Sequence, residues 1–314
     1  MKVIFFGSDE FALEPLNALL ASGHQVVGVV GRPDRPAGRG LKPVSTAVVS
    51  RAKALDLRVW QPESLIKDRF ASTAGEVSWD AGVVVGYGGL IPEWLLEYPR
   101  HGFVNLHPSL LPRYRGAAPV ERALMNGAGI TGVTTIKMNE RLDAGDIYKH
   151  RETPISEEDT TGTLRERLGH LGANLLVETL DGIEGNNMEP VAQDEDKATD
   201  APPVQPREAN IDWHLPAESI DGLVRALDPG PGAYTFFRGG RLKIWSVQVT
   251  EVPQEAEPGV LMNMGKEGFL VNTGTNCVGV VTVQPEGRKR MSAGEFSRGQ
   301  RFLIGERFMD RAES

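Results

Sequence analysis

An amide and an imidazole stand two residues apart in Asn105-Leu106-His107, and a carboxylate follows in the run Arg141-Leu142-Asp143-Ala144-Gly145-Asp146. On an extended backbone, residues i and i+2 face the same side, so Asn105 and His107 can converge on one reacting atom. Acyl transfer to an amine calls for a set of this kind. It needs a donor to the tetrahedral oxyanion, a group that shuttles the amine proton, and a partner that orients the shuttle. The run Pro108-Ser109-Leu110-Leu111-Pro112-Arg113-Tyr114-Arg115-Gly116 then fixes the loop path with two prolines and a glycine. The spacing alone leaves a structural role for Asn105 and His107 open.

A rigid frame must carry such a pair, and the flanking sequence supplies one. Residues 2–7 (KVIFFG), 24–30 (HQVVGVV) and 80–85 (DAGVVV) are short apolar runs, the pattern of strands buried on both faces. Residues 103–106 (FVNL) form another, and Asn105 and His107 lie where it runs out. Phe11, Leu13, Leu16, Leu19 and Leu20 recur mostly at helical spacings. Helices are expected over 49–57 and, behind the capping run Asp159-Thr160-Thr161, over about 161–183. A short strand is expected at 57–60, and two more at 132–138 and 145–150. Strands alternating with helices give an α/β class with a doubly wound, mainly parallel, Rossmann-like sheet. Ligands of such sheets gather beyond the carboxyl ends of the strands, where Asn105 and His107 fall.

Residues 191–208 (VAQDEDKATDAPPVQPRE) are polar, proline-bearing and aperiodic, and read as a linker. A short amphipathic helix is expected at 217–227. From Gly232 onward short strands punctuated by glycine (AYTFF, RLKIWSV, GVLMNM, GFLVN, CVGVVTV) indicate a small β-barrel or β-sandwich. The expected organisation is a first domain over 1–190, a linker over 191–208 and a second, smaller domain over 209–314.

Composition limits the partners. Lys and Arg number 34 against 42 Asp and Glu, a net charge of −8. That sign excludes a protein that coats nucleic acid non-specifically, so any RNA must be met by local basic patches. Cys277 is the only cysteine, which excludes an internal disulfide and suits the reducing cytoplasm. No apolar run approaches the roughly 18–20 residues of a membrane span. No signal peptide is expected, since the first residues lack a cleavage site and turn acidic at Asp9-Glu10. His101, His107, His150, His170 and His214 are not at ligand spacings, so no metal is expected.

Asn105-x-His107, the following SLLPRYRGAAP and the downstream LDAGDI resemble the folate-dependent formyltransferase family, and the resemblance runs along nearly the whole chain. It implies a 10-formyltetrahydrofolate donor bound in the first domain and an oligonucleotide-binding-like (OB-like) barrel as the second. Asn105, His107 and Asp143 match the family's catalytic trio. Ser109, Leu110, Leu111 and Pro112 match its folate-contact loop, and Gly86, Tyr87 and Gly88 begin a matching pocket wall. The implied reaction has the amine attack the formyl carbon, with Asn105 donating to the oxyanion, His107 moving protons and Asp143 fixing the imidazole.

The family divides by acceptor. Residues 33–40 (PDRPAGRG) resemble the mobile loop of members that formylate methionyl-tRNA, which implies contacts from Arg35, Arg39 and Lys42 to the tRNA. Arg288, Lys289 and Arg290 in GRKRM resemble those members too, and Arg238, Arg241 and Lys243 extend the expected basic strip. Two departures remove positive charge: Pro203 and Pro206 stand where such members usually have linker lysines, and Leu41-Lys42 replaces a lysine pair. The resemblance favours a monomer. A nucleotide-linked amino sugar is the alternative acceptor, and a formylfolate hydrolase would use water instead. A dinucleotide-binding dehydrogenase is disfavoured, since FGSDEFA after the first strand lacks G-x-G-x-x-G.

Overall fold

A computed structural model of the chain describes residues 1–37, 42–67, 70, 77–262, 268–301, 303 and 305–309. The chain divides into two compact units. The first comprises Met1–Pro119, Ile130–Pro154 and Arg165–Ala201; the second comprises Val120–Gly129, Ile155–Leu164 and Pro202–Ser314.

The first unit is built on a seven-stranded sheet of β1 (Lys2–Gly7), β2 (Gln25–Val30), β5 (Val59–Trp60), β6 (Ala81–Val85), β7 (Phe103–His107), β8 (Ile130–Lys137) and β9 (Asp146–Pro154). Its strand order is β5-β2-β1-β6-β7-β8-β9. The pairs from β5 to β7 are parallel, and β8 and β9 add on antiparallel. All five residues of β6 and of β7 are buried, as the continuous apolar runs required. The order reverses between β1 and β6, which opens a crevice at their carboxyl ends. There the carbonyl of Gly86, at φ +52°, accepts from the amides of Ser8 and Asp9. A short hairpin, β3 (Arg35–Ala37) with β4 (Lys42–Val44), stands apart from the sheet.

Helix α1 covers Leu13–Ala21 and α2 covers Ala47–Ala54. The expectation of 49–57 for α2 was displaced for two local reasons. Thr46 caps the helix by accepting from the Val49 amide, and Asp56 at φ +53° turns the chain out of it. A helix at Thr161–Glu184, close to the expected 161–183, lies behind β7. Its Gly172 permits close approach, since a Cβ there would fall 2.7 Å from Leu106 Cδ2. No described helix is long and apolar enough to cross a membrane.

Residues 191–201, expected as linker, are fastened to the first unit by backbone pairing. The amides of Thr199, Arg115 and Ala201 bond to the carbonyls of Pro112, Thr199 and Arg115 respectively. A Cβ on Gly116, at φ +129°, would meet the Ala201 carbonyl at 2.6 Å, so the strap needs glycine there.

In the second unit, β10 (Ala233–Phe237), β11 (Gly240–Pro253), β13 (Asn276–Pro285) and β12 (Phe269–Asn272) follow one another antiparallel. Single bridges Leu261 to Val271, Val260 to Arg307 and Met309 to Phe236 lead from β12 back to β10, so the ring of pairings closes as a small barrel. Its core includes Ile211, Ile244, Val271, Val278 and Phe308, with the helix Ala217–Ala226 packed by Ile220 and Val224. The buried Trp213 indole donates to Thr235 Oγ1 at 3.0 Å, which satisfies its polar edge.

Candidate active site

Strand β7 puts Asn105 and His107 on one side of its carboxyl end, and the turn after β8 brings Asp143 to them. Asn105 Nδ2 donates to Asp143 Oδ1 at 3.3 Å, and His107 Nδ1 lies 3.6 Å from Asp143 Oδ2. The Gly116 amide donates to the same Oδ2 at 3.0 Å. Asp143 holds φ +49°, a left-handed conformation that Asp tolerates better than most residues. Gly145 lets the turn close, for a Cβ there would sit 1.8 Å from the Lys137 carbonyl. Asn105 and His107 keep 8% and 5% of their surface, so both are largely buried where they meet Asp143.

One backbone atom decides what the imidazole can do. His107 Nε2 lies 2.9 Å from the Tyr114 carbonyl, which only accepts, so Nε2 carries hydrogen and donates. In the neutral ring Nδ1 is then the free base, and it faces the Asp143 carboxylate. A proton taken up at Nδ1 meets that negative charge at once. The Tyr114 carbonyl is in turn fixed, because Tyr114 sits at φ +61° and its amide donates to Thr199 Oγ1 at 2.8 Å.

The loop Ser109–Pro112 is set by Thr134 on β8. Thr134 Oγ1 donates to the Ser109 carbonyl at 2.7 Å and accepts from the Leu111 amide at 3.2 Å. Ser109 is fully buried and its hydroxyl donates to the Arg113 carbonyl, so its side chain shapes the loop. Leu110, Leu111 and Pro112 border a cleft of about 720 Å³ with His150 and Glu152. Tyr87 is 4% exposed and packs edge-on to Phe6 at 5.7 Å, so its ring belongs to the core, and burial pushes its phenol up. Gly86 and Gly88 are both left-handed and exposed, and Leu90 behind them is 85% exposed.

The expected basic residues divide. Arg35 is exposed on β3, and Lys42 pairs with Ala37 across the hairpin. Arg39 lies outside the described residues. Arg288 and Lys289 are exposed in the turn after β13, where Gly287 is at φ +70° and Gln284 Nε2 holds the Arg288 carbonyl at 2.8 Å. Arg290 is spent on neighbours: its guanidinium lies 3.5 Å over the Trp245 ring and bonds Asp228 at 2.9 Å. Arg238 pairs with Glu306, Arg241 covers the Tyr234 ring at 3.7 Å, and Lys243 donates to the Pro231 carbonyl. Pro203, where lysine was noted missing, offers its carbonyl to Arg122, which also grips Glu208 and holds that carboxyl at about 2.

Sequence reasoning did not find the Tyr114 carbonyl, the Gly116 amide, Thr199 or Gln193. The first two act through backbone, to which residue type gives no clue, and the last two sit in the stretch read as linker.

Residues 1–180 match the formyl transferase family model, and residues 203–301 match the model for the formyl transferase C-terminal domain. A methionyl-tRNA formyltransferase of Moorella thermoacetica is 43% identical over 306 residues, covering 98% of each chain. One of Thermobifida fusca is 43% identical over 310 residues, covering 99% of this chain and all of the relative. Among solved structures, an N-formyltransferase from Helicobacter canadensis, in complex with folinic acid and dTDP-3-aminofucose, superposes with TM-score 0.66 at 17% identity. That superposition covers 89% of this chain and 99% of the other. HypX from Aquifex aeolicus also gives 0.66 at 17% identity over 98% of this chain, which spans about half (48%) of that structure. At such identities the two structures speak for the fold alone.

Proposed function

The chain belongs to the formyl transferase family, and we propose that it transfers the formyl group of 10-formyltetrahydrofolate to the amino group of methionyl-tRNA. The observation that carries the chemistry is the meeting of Asn105, His107 and Asp143 within 3.3–3.6 Å. The acceptor follows the full-length relatives at 43% identity.

In this reading the amine attacks the formyl carbon, and the oxygen takes up negative charge. Asn105 has one amide hydrogen on Asp143 and a second for that oxyanion, a donor of the kind worth about 10²–10³ in rate. His107 Nδ1 takes the proton from the attacking nitrogen, and the imidazolium is stabilised by Asp143 Oδ2. As the carbon–nitrogen bond to the folate breaks, the same proton passes to the leaving nitrogen. Leu90 and Leu142, 85% and 67% exposed on the loops after β6 and β8, offer apolar surface to the pterin. Arg35, Arg39, Lys42, Arg288 and Lys289 are assigned to tRNA phosphates. The enzyme acts as a monomer in the cytoplasm.

The test is a direct competition. The enzyme is given 10-formyltetrahydrofolate with methionyl-tRNA and, separately, with a nucleotide-linked amino sugar. Formylated methionyl-tRNA supports the reading, and formylation of the sugar alone overturns the acceptor.

A further inference from the structure

The strap 191–201 contributes one side chain that touches both loops of the candidate site. Gln193 Nε2 donates to the Asp143 carbonyl at 2.8 Å and to the Gly145 carbonyl at 2.7 Å. Its Oε1 accepts from Arg115 Nε at 3.1 Å and from Arg115 Nη2 at 2.8 Å. Both hydrogens and both lone pairs of the amide are thus in use. Arg115 lies between the Tyr114 carbonyl that holds His107 and the Gly116 amide that holds Asp143. Gln193 therefore joins the turn that carries the carboxylate to the loop that aims the imidazole.

We propose that Gln193 is a positioning residue for formyl transfer, its amide clamping the Asp143 turn onto the loop that holds His107; the proposal rests on the formyl-transfer reading above. Asp143 occupies a left-handed conformation at the tip of an exposed turn, and the carbonyls at 143 and 145 are the handles by which it is held. Without the clamp the carboxylate retreats from Nδ1, and misplacement by an ångström is enough to cost a large factor in rate. Glu195 reinforces the clamp from outside by pairing with Arg115 and Arg141, both at 2.9 Å.

The experiment measures kcat and the folate KM, per mole of folded enzyme, with 10-formyltetrahydrofolate and methionyl-tRNA. It compares Gln193→Leu, Gln193→Glu, Asp143→Asn and the double variant D143N/Q193L. Gln193→Glu keeps the contact to Arg115 and turns the donation to the two carbonyls into repulsion, so it carries the test should Gln193→Leu fold poorly. Expected are a fall in kcat of about tenfold or more in both Gln193 variants, with the folate KM within about twofold. In the D143N background the further loss from Q193L should stay below about threefold, because the clamp acts through Asp143. A merely structural role would give the same loss in both backgrounds, and that result overturns the proposal, as does a kcat within twofold of the parent. Parental turnover by D143N would instead contradict the site reading itself, and the proposal with it.

Discussion

The rim of the parallel sheet and the charged face of the barrel use polar side chains in opposite ways. At the rim, the Tyr114 carbonyl aims His107 and the nitrogens of Asn105 and Gly116 hold Asp143, which in the proposed reaction leaves His107 Nδ1 and one amide hydrogen of Asn105 for a reactant. On the barrel, Arg238, Arg241, Lys243 and Arg290 are absorbed by Glu306, Tyr234, Pro231 and Asp228, and only Arg288 and Lys289 of the expected strip project from a turn. The difference lies in what surrounds each group. The backbone atoms of Tyr114 and Gly116, in a loop pinned by the strap, orient His107 and Asp143 without consuming a side chain. Exposed cations on adjacent strands find carboxylates, rings and carbonyls of their own.

Substitutions can break this contrast, and the sharpest lies at the rim. His107→Ala should lower kcat by about 10²–10⁴-fold while folate affinity stays near parental, measured by turnover beside equilibrium binding. Parental turnover would reduce the rim to ordinary packing. Asn105→Ala should lower kcat by about 10²–10³-fold, again with little change in folate KM. On the barrel, the double variant R288A/K289A should leave kcat unchanged and weaken tRNA binding. Its plot of log affinity against log salt should flatten by about 1.5, two phosphate contacts at roughly 0.7–0.9 each. Arg290→Ala should leave that slope alone and cost about 1 kcal/mol of barrel stability, read from denaturant unfolding. Equal slopes for the two would show that Arg290 is no more committed than its neighbours.

The smallest effect concerns the strap. Arg115, and after it Arg141, hold the Glu195 carboxyl at about 2, below its ordinary 4.5. Because the folded value lies below the unfolded one, this contribution is present above about 4.5 and is lost as pH falls through about 2. The difference in Tm between the parent and Glu195→Gln should be a degree or two at neutral pH and close as the pH is lowered from 4.5, since the carboxylate itself is half exposed.

The sheet was legible because buried strands demand continuous apolar runs, and β1, β6 and β7 fall within a residue or so of where those runs lie. The placement of Asn105 and His107 followed from the period of a strand. The burial of Ser109 and Tyr87 was not legible, since it depends on Thr134 and Phe6 reached across the fold. The pinning of residues 191–201 was not legible, because a polar, aperiodic stretch held by backbone bonds has the same composition as a free one. The contacts of Arg290 were not legible because its partners, Trp245 and Asp228, lie 45 and 62 positions away in sequence.

The Tyr114 carbonyl presets His107 so that Nδ1 is the nitrogen that takes up the transferred proton. Nitrogen-15 NMR of the histidine-labelled enzyme, with His107→Gln to identify the resonances, reads this directly. Neutral His107 is expected to hold its hydrogen on Nε2 and leave Nδ1 bare toward Asp143. Hydrogen on Nδ1 in the neutral ring would contradict it.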